Sequence, residues 1–450
     1  MRKGPIYRLP QELIDEVVDC VYSDLSDDND GALLSHHVAC PLVCRFFTQR
    51  SQMHVFHAIK VGTYREDRSE ERARRIQRLK RILKRNRRLI SYIIRLTIEI
   101  PQDNEWLGTD KTFLDVIKTI VNKDHSLQAL SLWGSYGHLV NPSAVLNSFF
   151  APFILPSITS LELRCIPAFP LSIIARCTQL KTLIVSNLTL SRSPVELSPP
   201  IPVIAQSTGL KHSLVKRLFR RKSTFPKPST DSHNLGNPPQ LQHLEYASSG
   251  AAVATMVEIR QIDPSISADL SRLQTLKLRM GDLDDVVHAQ TIIDEASEFL
   301  RHISLLIHPL PGRINLRKMR KLEYLRIEHL VGNQITMEDP LSGILSVMQT
   351  TPTLHFLEVM LKGTVTDTQG PETFRTADWD GFGSEIERLA SASGNLRVFI
   401  CLNGDVSRDY LKNPVRQILD GVFEPLRRRA RHIPTLNLTV IHQVHRFFSS

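Results

Sequence analysis

A mixed α+β / α/β solenoid, in which three short helices lead into an irregular horseshoe of stacked strand-and-helix units, is the fold class the sequence predicts. Three observations predict it. A seven-residue phrase with alternating apolar positions recurs from about residue 92 to residue 401. The first sixty residues hold proline-punctuated amphipathic segments, each too short to bury much surface alone. The chain of 450 residues is 42% hydrophobic, enough for a real core spread over two or three domains, yet has no run near the ~18 apolar residues of a spanning helix. No membrane partner is therefore expected.

Leu9-Pro10-Gln11-Glu12 reads as a helix start, because proline suits a first turn where its missing N–H would go unpaired. Glu12, Asp15 and Glu16 favour the positive helix N-terminus, and Leu13, Val17 and Val21 share one face with Ile14 and Val18 beside them. "SDLSDDNDG" breaks this helix. "ALLSHHVAC" resumes a helical pattern, and "PLVCRFFTQRSQMHVFHAIKV" starts again at Pro41. Residues 65–88 hold 12 Arg and Lys against 4 Asp and Glu around an apolar stripe of Ile76, Leu79 and Leu83. That pattern predicts one amphipathic helix with a strongly charged solvent side.

The recurrent phrase follows. "SLQALSL", "SITSLEL", "QLKTLIV", "QLQHLEY", "RLQTLKL", "KLEYLRI", "TLHFLEV" and "NLRVFIC" begin their apolar pattern at 127, 158, 180, 241, 273, 322, 354 and 396, with a weaker copy at Leu300 and an echo at Tyr92. Each fits apolar-x-x-apolar-x-apolar, and repeats of this size mean stacked units that bury their faces against their neighbours. The variable steps, and the lack of the usual asparagine after each strand, make this an irregular leucine-rich-repeat horseshoe. Residues 191–239 carry eight prolines and much Ser, Thr and Asn, and are expected to be a disordered insertion that cannot offset its ordering entropy by burial. The expected organisation is a helical module over 7–60, a basic helix and entry to the repeats over 65–100, repeats over 101–190, the insertion over 191–239, and repeats with a C-terminal cap over 240–450.

With Leu9, Pro10, Glu12, Leu13, Ile14 and Val17, and then "LVCRFF" over 42–47, residues 7–60 resemble the F-box, in the form found in F-box-like proteins of mushroom-forming fungi. Phe47 stands where that family has tryptophan. The resemblance implies a non-catalytic adaptor that binds a Skp-type linker of a cullin-RING ubiquitin ligase through Leu9, Pro10, Leu13, Ile14, Leu42, Val43 and Phe47, while the repeats select a protein substrate. The alternative is an interaction scaffold of leucine-rich repeats with no ligase link.

Other chemistry finds little footing. No phosphate-cradling glycine loop or Gly-x-Ser-x-Gly elbow occurs, so no enzyme is expected. His36, His37, Cys40 and Cys44 lack a second Cys/His pair at zinc spacing, so neither metal nor cofactor is expected. The six scattered cysteines (20, 40, 44, 165, 177 and 401) suit reduced thiols in the cytoplasm or nucleus. The net charge of +10 permits an anionic partner, but a charge run is more often a solvated face and aromatic residues are sparse, so the expectation is against nucleic acid.

Strand alternation picks the substrate face. Residues flanking the buried leucines of each phrase should point to the concave side: Trp133, Arg164, Lys277, Arg279, Tyr324, Arg326, Glu328, Phe356 and Glu358 are the expected contacts, with smaller neighbours such as Ser131 and Glu162. The same arithmetic puts apolar Val398, Ile400 and Leu402 there in the last rung, as though a cap covered them.

Overall fold

The computed structural model describes residues 10–23, 45–62, 69–102, 104–121, 127–136, 139, 141–155, 157–191, 238–263, 267–280, 283–307, 314–331, 339, 341–364, 377–405 and 414–444. The bulk of the 191–239 insertion lies outside them, as do Leu9, Leu42, Val43 and the His36–Cys44 cluster.

The chain builds a mixed α/β structure on one twelve-stranded parallel sheet, compatible with an α/β solenoid. Its strands are β1 (Ala58–Gly62), β2 (Arg95–Ile100), β3 (Ala129–Gly134), β4 (Ser160–Arg164), β6 (Thr182–Ser186), β8 (His243–Ala247), β9 (Thr275–Arg279), β10 (His302–Ile307), β11 (Tyr324–Val331), β12 (Phe356–Thr364), β13 (Leu396–Asp405) and β14 (Leu436–Val444). They lie side by side in chain order, and β5 (Phe169–Pro170) pairs with β7 (Leu190–Ser191) in a small second ladder.

That order has a consequence. Parallel crossovers are right-handed, so strands added always on the same edge send every connection over the same face. One face is covered by the helices and the other is left open. Burial alternates to match: Leu130 and Leu132, Leu161 and Leu163, Leu244 and Tyr246, Leu276 and Leu278, and Leu325 and Ile327 are sealed, while their neighbours in sequence are at least partly open in most strands. The first leucine of each phrase, such as Leu127, Leu241 and Leu354, is buried where the chain turns into its strand.

Bends at the strand ends keep the ladder going. Cys165, Asn187 and Ser248 follow β4, β6 and β8 directly with φ of 54°, 48° and 47°. Their N–H groups donate to the carbonyls of Ser186, Ala247 and Arg279 on the next strand at 2.8, 3.0 and 3.3 Å. Among the described bends of this kind, one uses asparagine.

Three expectations change. The helix expected to run through "MHVFHAIKV" ends at His57, and β1 begins at Ala58 and pairs with β2. The closing segment adds a strand to the sheet, β14 on β13, after a helix over Pro414–Arg431. The last concave rung is shifted by one residue. Leu357 and Val359 pair with Val398 and Ile400, which are buried on the helix side with Leu402 in the same phase, so Arg397, Phe399 and Cys401 hold the open-face positions. The physical cause is that Val398 to Cys401 are apolar in both phases, so alternation alone carries no register there.

β1 depends on a glycine. Gly62 has φ of +101°, and a Cβ there would sit 2.2 Å from the Glu99 carbonyl oxygen. Gly62→Ala is expected to lower stability by about 1–3 kcal/mol, the usual range for a strained backbone, as read by denaturant unfolding.

Candidate functional sites: an exposed stripe on the first helix and an open sheet face

Helix α1 (Gln11–Ser23) packs on α2 (Arg45–His57), which in turn meets β1 and the Arg87–Tyr92 turn. Ile14 and Val18 are 2% and 0% exposed, so they form the buried side of α1. Leu13 and Val17, one helical turn apart, are 48% and 52% exposed and form an uncovered apolar stripe. Pro10 is exposed at its start and Phe47 is half-buried on α2. Among the described residues expected to meet a linker, Ile14 differs from expectation, being buried. It is committed to the molecule's own packing and supports the stripe from behind.

A charged clamp fixes α1 on α2. The Arg50 guanidinium donates from Nε and Nη2 to the two Asp19 oxygens, both at 2.6 Å, and His54 Nε2 lies 2.7 Å from Asp19 Oδ1. Hydrogen bonding to Arg50 holds the Asp19 carboxyl at about 2, against the upward pull of burial and with help from His54. A lowered folded pKa stabilises above the unfolded value near 4, and that contribution is lost as pH falls from about 4 toward 2. In an NMR titration the Asp19 carboxyl should show a midpoint well below 3.8, and Arg50→Gln should return it toward the ordinary range. An unshifted midpoint in the wild type would remove the clamp.

The open sheet face carries three clusters. On β1–β4, Trp133 lies between two cations, with Lys60 Nζ 5.0 Å and the Arg164 guanidinium carbon 5.1 Å from its ring centre. Lys60 pairs with Glu99 at 2.8 Å, Arg164 pairs with Glu162, and Ser131 Oγ donates to Glu162 at 2.6 Å. On β8 and β9, Glu245 sits between His243 at 4.0 Å and Lys277 at 3.6 Å. His243 leads the causes that lower the Glu245 pKa, and Lys277 and the exposed Arg279 add to it.

On β10–β12, His302, Tyr324 and Phe356 stand side by side in register. Tyr324 and Phe356 stack with centres 5.2 Å apart and planes 14° from parallel. Arg326 lies between Glu328 at 2.6 Å and Glu358 at 3.6 Å, and the Tyr324 hydroxyl donates to Glu358. Burial and then Glu358 push the Tyr324 phenol up to about 12. Burial works against the Arg326 charge, but Glu328 and Glu358 outweigh it and raise its pKa.

In each of these pairs with a lysine or arginine the carboxylate is the more buried partner, Glu162 being 15% exposed against 50% for Arg164; against His243, Glu245 is the more exposed. The shorter acid lies flat among the strands while the longer cation reaches outward over it. The face therefore presents cations and ring edges on a fixed, internally neutralised bed.

Comparison with known protein families and with curated proteins finds no match for this chain.

All nine expected substrate-contact residues fall in the open-face phase of their strands. Sequence reasoning left out Lys60, because β1 went unrecognised, and Glu99 of β2, because the echo at Tyr92 was not carried through as a rung. It also left out His243, Glu245 and Phe399. The phrase beginning at Leu241 contained the signal for the first two, since the same offsets give positions 243 and 245. Among the described residues no helix is long and apolar enough to cross a membrane.

Proposed function

We propose that this chain is a non-catalytic substrate adaptor of a cullin-RING ubiquitin ligase. An F-box-like module docks a Skp-type linker through the Leu13–Val17 stripe and its neighbours Leu9, Pro10, Leu42, Val43 and Phe47, and an irregular leucine-rich horseshoe holds a protein substrate on its open face. The reading puts the chain in the cytoplasm or nucleus. The observation that carries it is the split on α1: Ile14 and Val18 buried, Leu13 and Val17 open. A helix that anchors by one side and keeps aliphatic side chains in water on the other has surplus apolar surface suited to a partner. The open face supports the second half, since fixed aromatic and arginine side chains with few mobile groups suit protein hot spots.

The experiment is co-elution of the full chain with a Skp-type linker. A stoichiometric complex is expected; its absence, with the chain folded, leaves the plain repeat scaffold. For the substrate, the triple variant Tyr324→Ala, Arg326→Ala, Phe356→Ala should keep the linker and lose the proteins that wild type captures, as read by quantitative mass spectrometry. An unchanged set of captured proteins would move the substrate site elsewhere.

A further inference from the structure

We propose that the solvent side of the Ser69–Arg85 helix, α3, with the turn after it, binds the phosphate backbone of double-stranded nucleic acid irrespective of base sequence. This surface uses none of the residues assigned above to linker or substrate and does not rest on that assignment.

A large share of the chain's positive charge gathers on this helix, beyond the Glu70 and Glu71 of its first turn. Residues 72–98 contain eleven cations (nine Arg and two Lys) and no acidic residue. The chain's net charge is +10, so everything outside this stretch sums to 10 − 11 = −1. Other basic runs occur over 211–222 and 427–431, but a stretch this dense on one side of a helix is a local field.

The contacts separate the neutralised cations from the rest. Arg74 pairs with Glu70 at 3.0 Å, Arg75 pairs with Glu71, Lys80 pairs with Asp115 at 2.8 Å, and Arg72 lies over the Trp106 ring. Arg78, Arg81, Lys84, Arg85, Arg87 and Arg88 are exposed and meet no carboxylate among the described residues. Like charges one helical turn apart destabilise a helix by a few tenths of a kcal/mol per pair. Six of them within eleven residues are a standing cost that an anion would relieve.

Geometry narrows the anion. Ile76 and Leu83 are 1% exposed, so the apolar side of α3 is inside the fold. The helix cannot lay that side into a lipid surface, which leaves charge as its only handle. Arg78, Arg81 and Arg85 follow the i, i+3, i+7 spacing, a single stripe about 11 Å long opposite the buried side. Guanidinium groups match phosphate oxygens with two parallel hydrogen bonds, where lysine offers a point charge. Residues 72–88 contain no aromatic side chain, so bases have nothing to stack on and contact is to the backbone alone. The charge run reads from sequence as a solvated face; the missing carboxylate partners are what alter that reading.

The test is fluorescence anisotropy of the full chain on labelled 20-base-pair DNA and RNA duplexes of mixed sequence, across a salt series. Six phosphate contacts predict a log–log salt slope of about −5, so raising salt from 50 to 200 mM should weaken binding about a thousandfold, equally for duplexes of different sequence. The variant Arg78→Gln, Arg81→Gln, Arg85→Gln, Arg88→Gln, which keeps helix-forming side chains, should cut the slope to about −2. Lys277→Gln with Arg279→Gln should leave it unchanged. No binding at 50 mM salt, a slope that the fourfold variant does not alter, or capture of an acidic protein that duplex cannot displace would each overturn the proposal.

Discussion

If α1 is the proposed docking helix, changing Leu13 and Val17 together to serine is expected to remove capture of a Skp-type linker and to leave thermal unfolding of the chain within about 2 °C of wild type. Both halves of that result follow from exposure. The two side chains are 48% and 52% exposed, so the free molecule gains little from them and truncation opens no cavity. A docked linker would bury the remaining half of each, worth about 1 kcal/mol apiece, and the new hydroxyls would add about 1–2 kcal/mol of desolvation. Together these weaken binding by a hundredfold or more. The adjacent pair behaves the other way. Ile14→Ser with Val18→Ser cuts into a buried contact and should loosen α1 from α2 even with no partner present. If the exposed pair is silent for linker binding, α1 is not the dock.

The second large effect lies in the aromatic chain under the early strands. Trp106, Phe113, Phe149, Phe150 and Phe169 follow one another with ring centres 5.0, 5.5, 5.1 and 6.1 Å apart. Phe149 is fully buried at the middle of the run. It joins the Lys111–Ile120 helix to the π-helical turn over Leu146–Ile154. Phe149→Ala should cost about 3–5 kcal/mol. In a stack whose units touch only their neighbours, that loss stays local. Hydrogen exchange should then show lost protection over 95–186, with 356–405 still protected. Uniform loss over the whole chain would mean one cooperative core.

How far the sequence speaks depends on whether a strand is apolar in one phase or two. In β4, β9 and β11 the alternation is clean, so counting from Ile158, Leu273 and Leu322 assigns each open-face residue correctly. In β13 both phases are apolar, and the Leu396-x-x-Phe399-x-Cys401 frame matches the template as well as the real one. Only the hydrogen-bonded ladder with β12 settles it, and a one-residue slip exchanges the faces. β1 was hidden because five residues follow His57 with no turn residue between helix and strand. The amphipathic pattern of α1 was plain, but not which apolar residues stay open. Leu13 and Ile14 are adjacent, and only the position of α2 separates them. The Asp19–Arg50 clamp joins residues 31 apart, beyond the reach of any local pattern.

The claim that α1 is a docking helix is tested most directly by hydrogen exchange on the full chain with and without a Skp-type linker. New protection is expected over 11–23, with the sheet from β2 to β13 unchanged. No change over 11–23 while the linker binds elsewhere, or no binding at all by a folded chain, would contradict it.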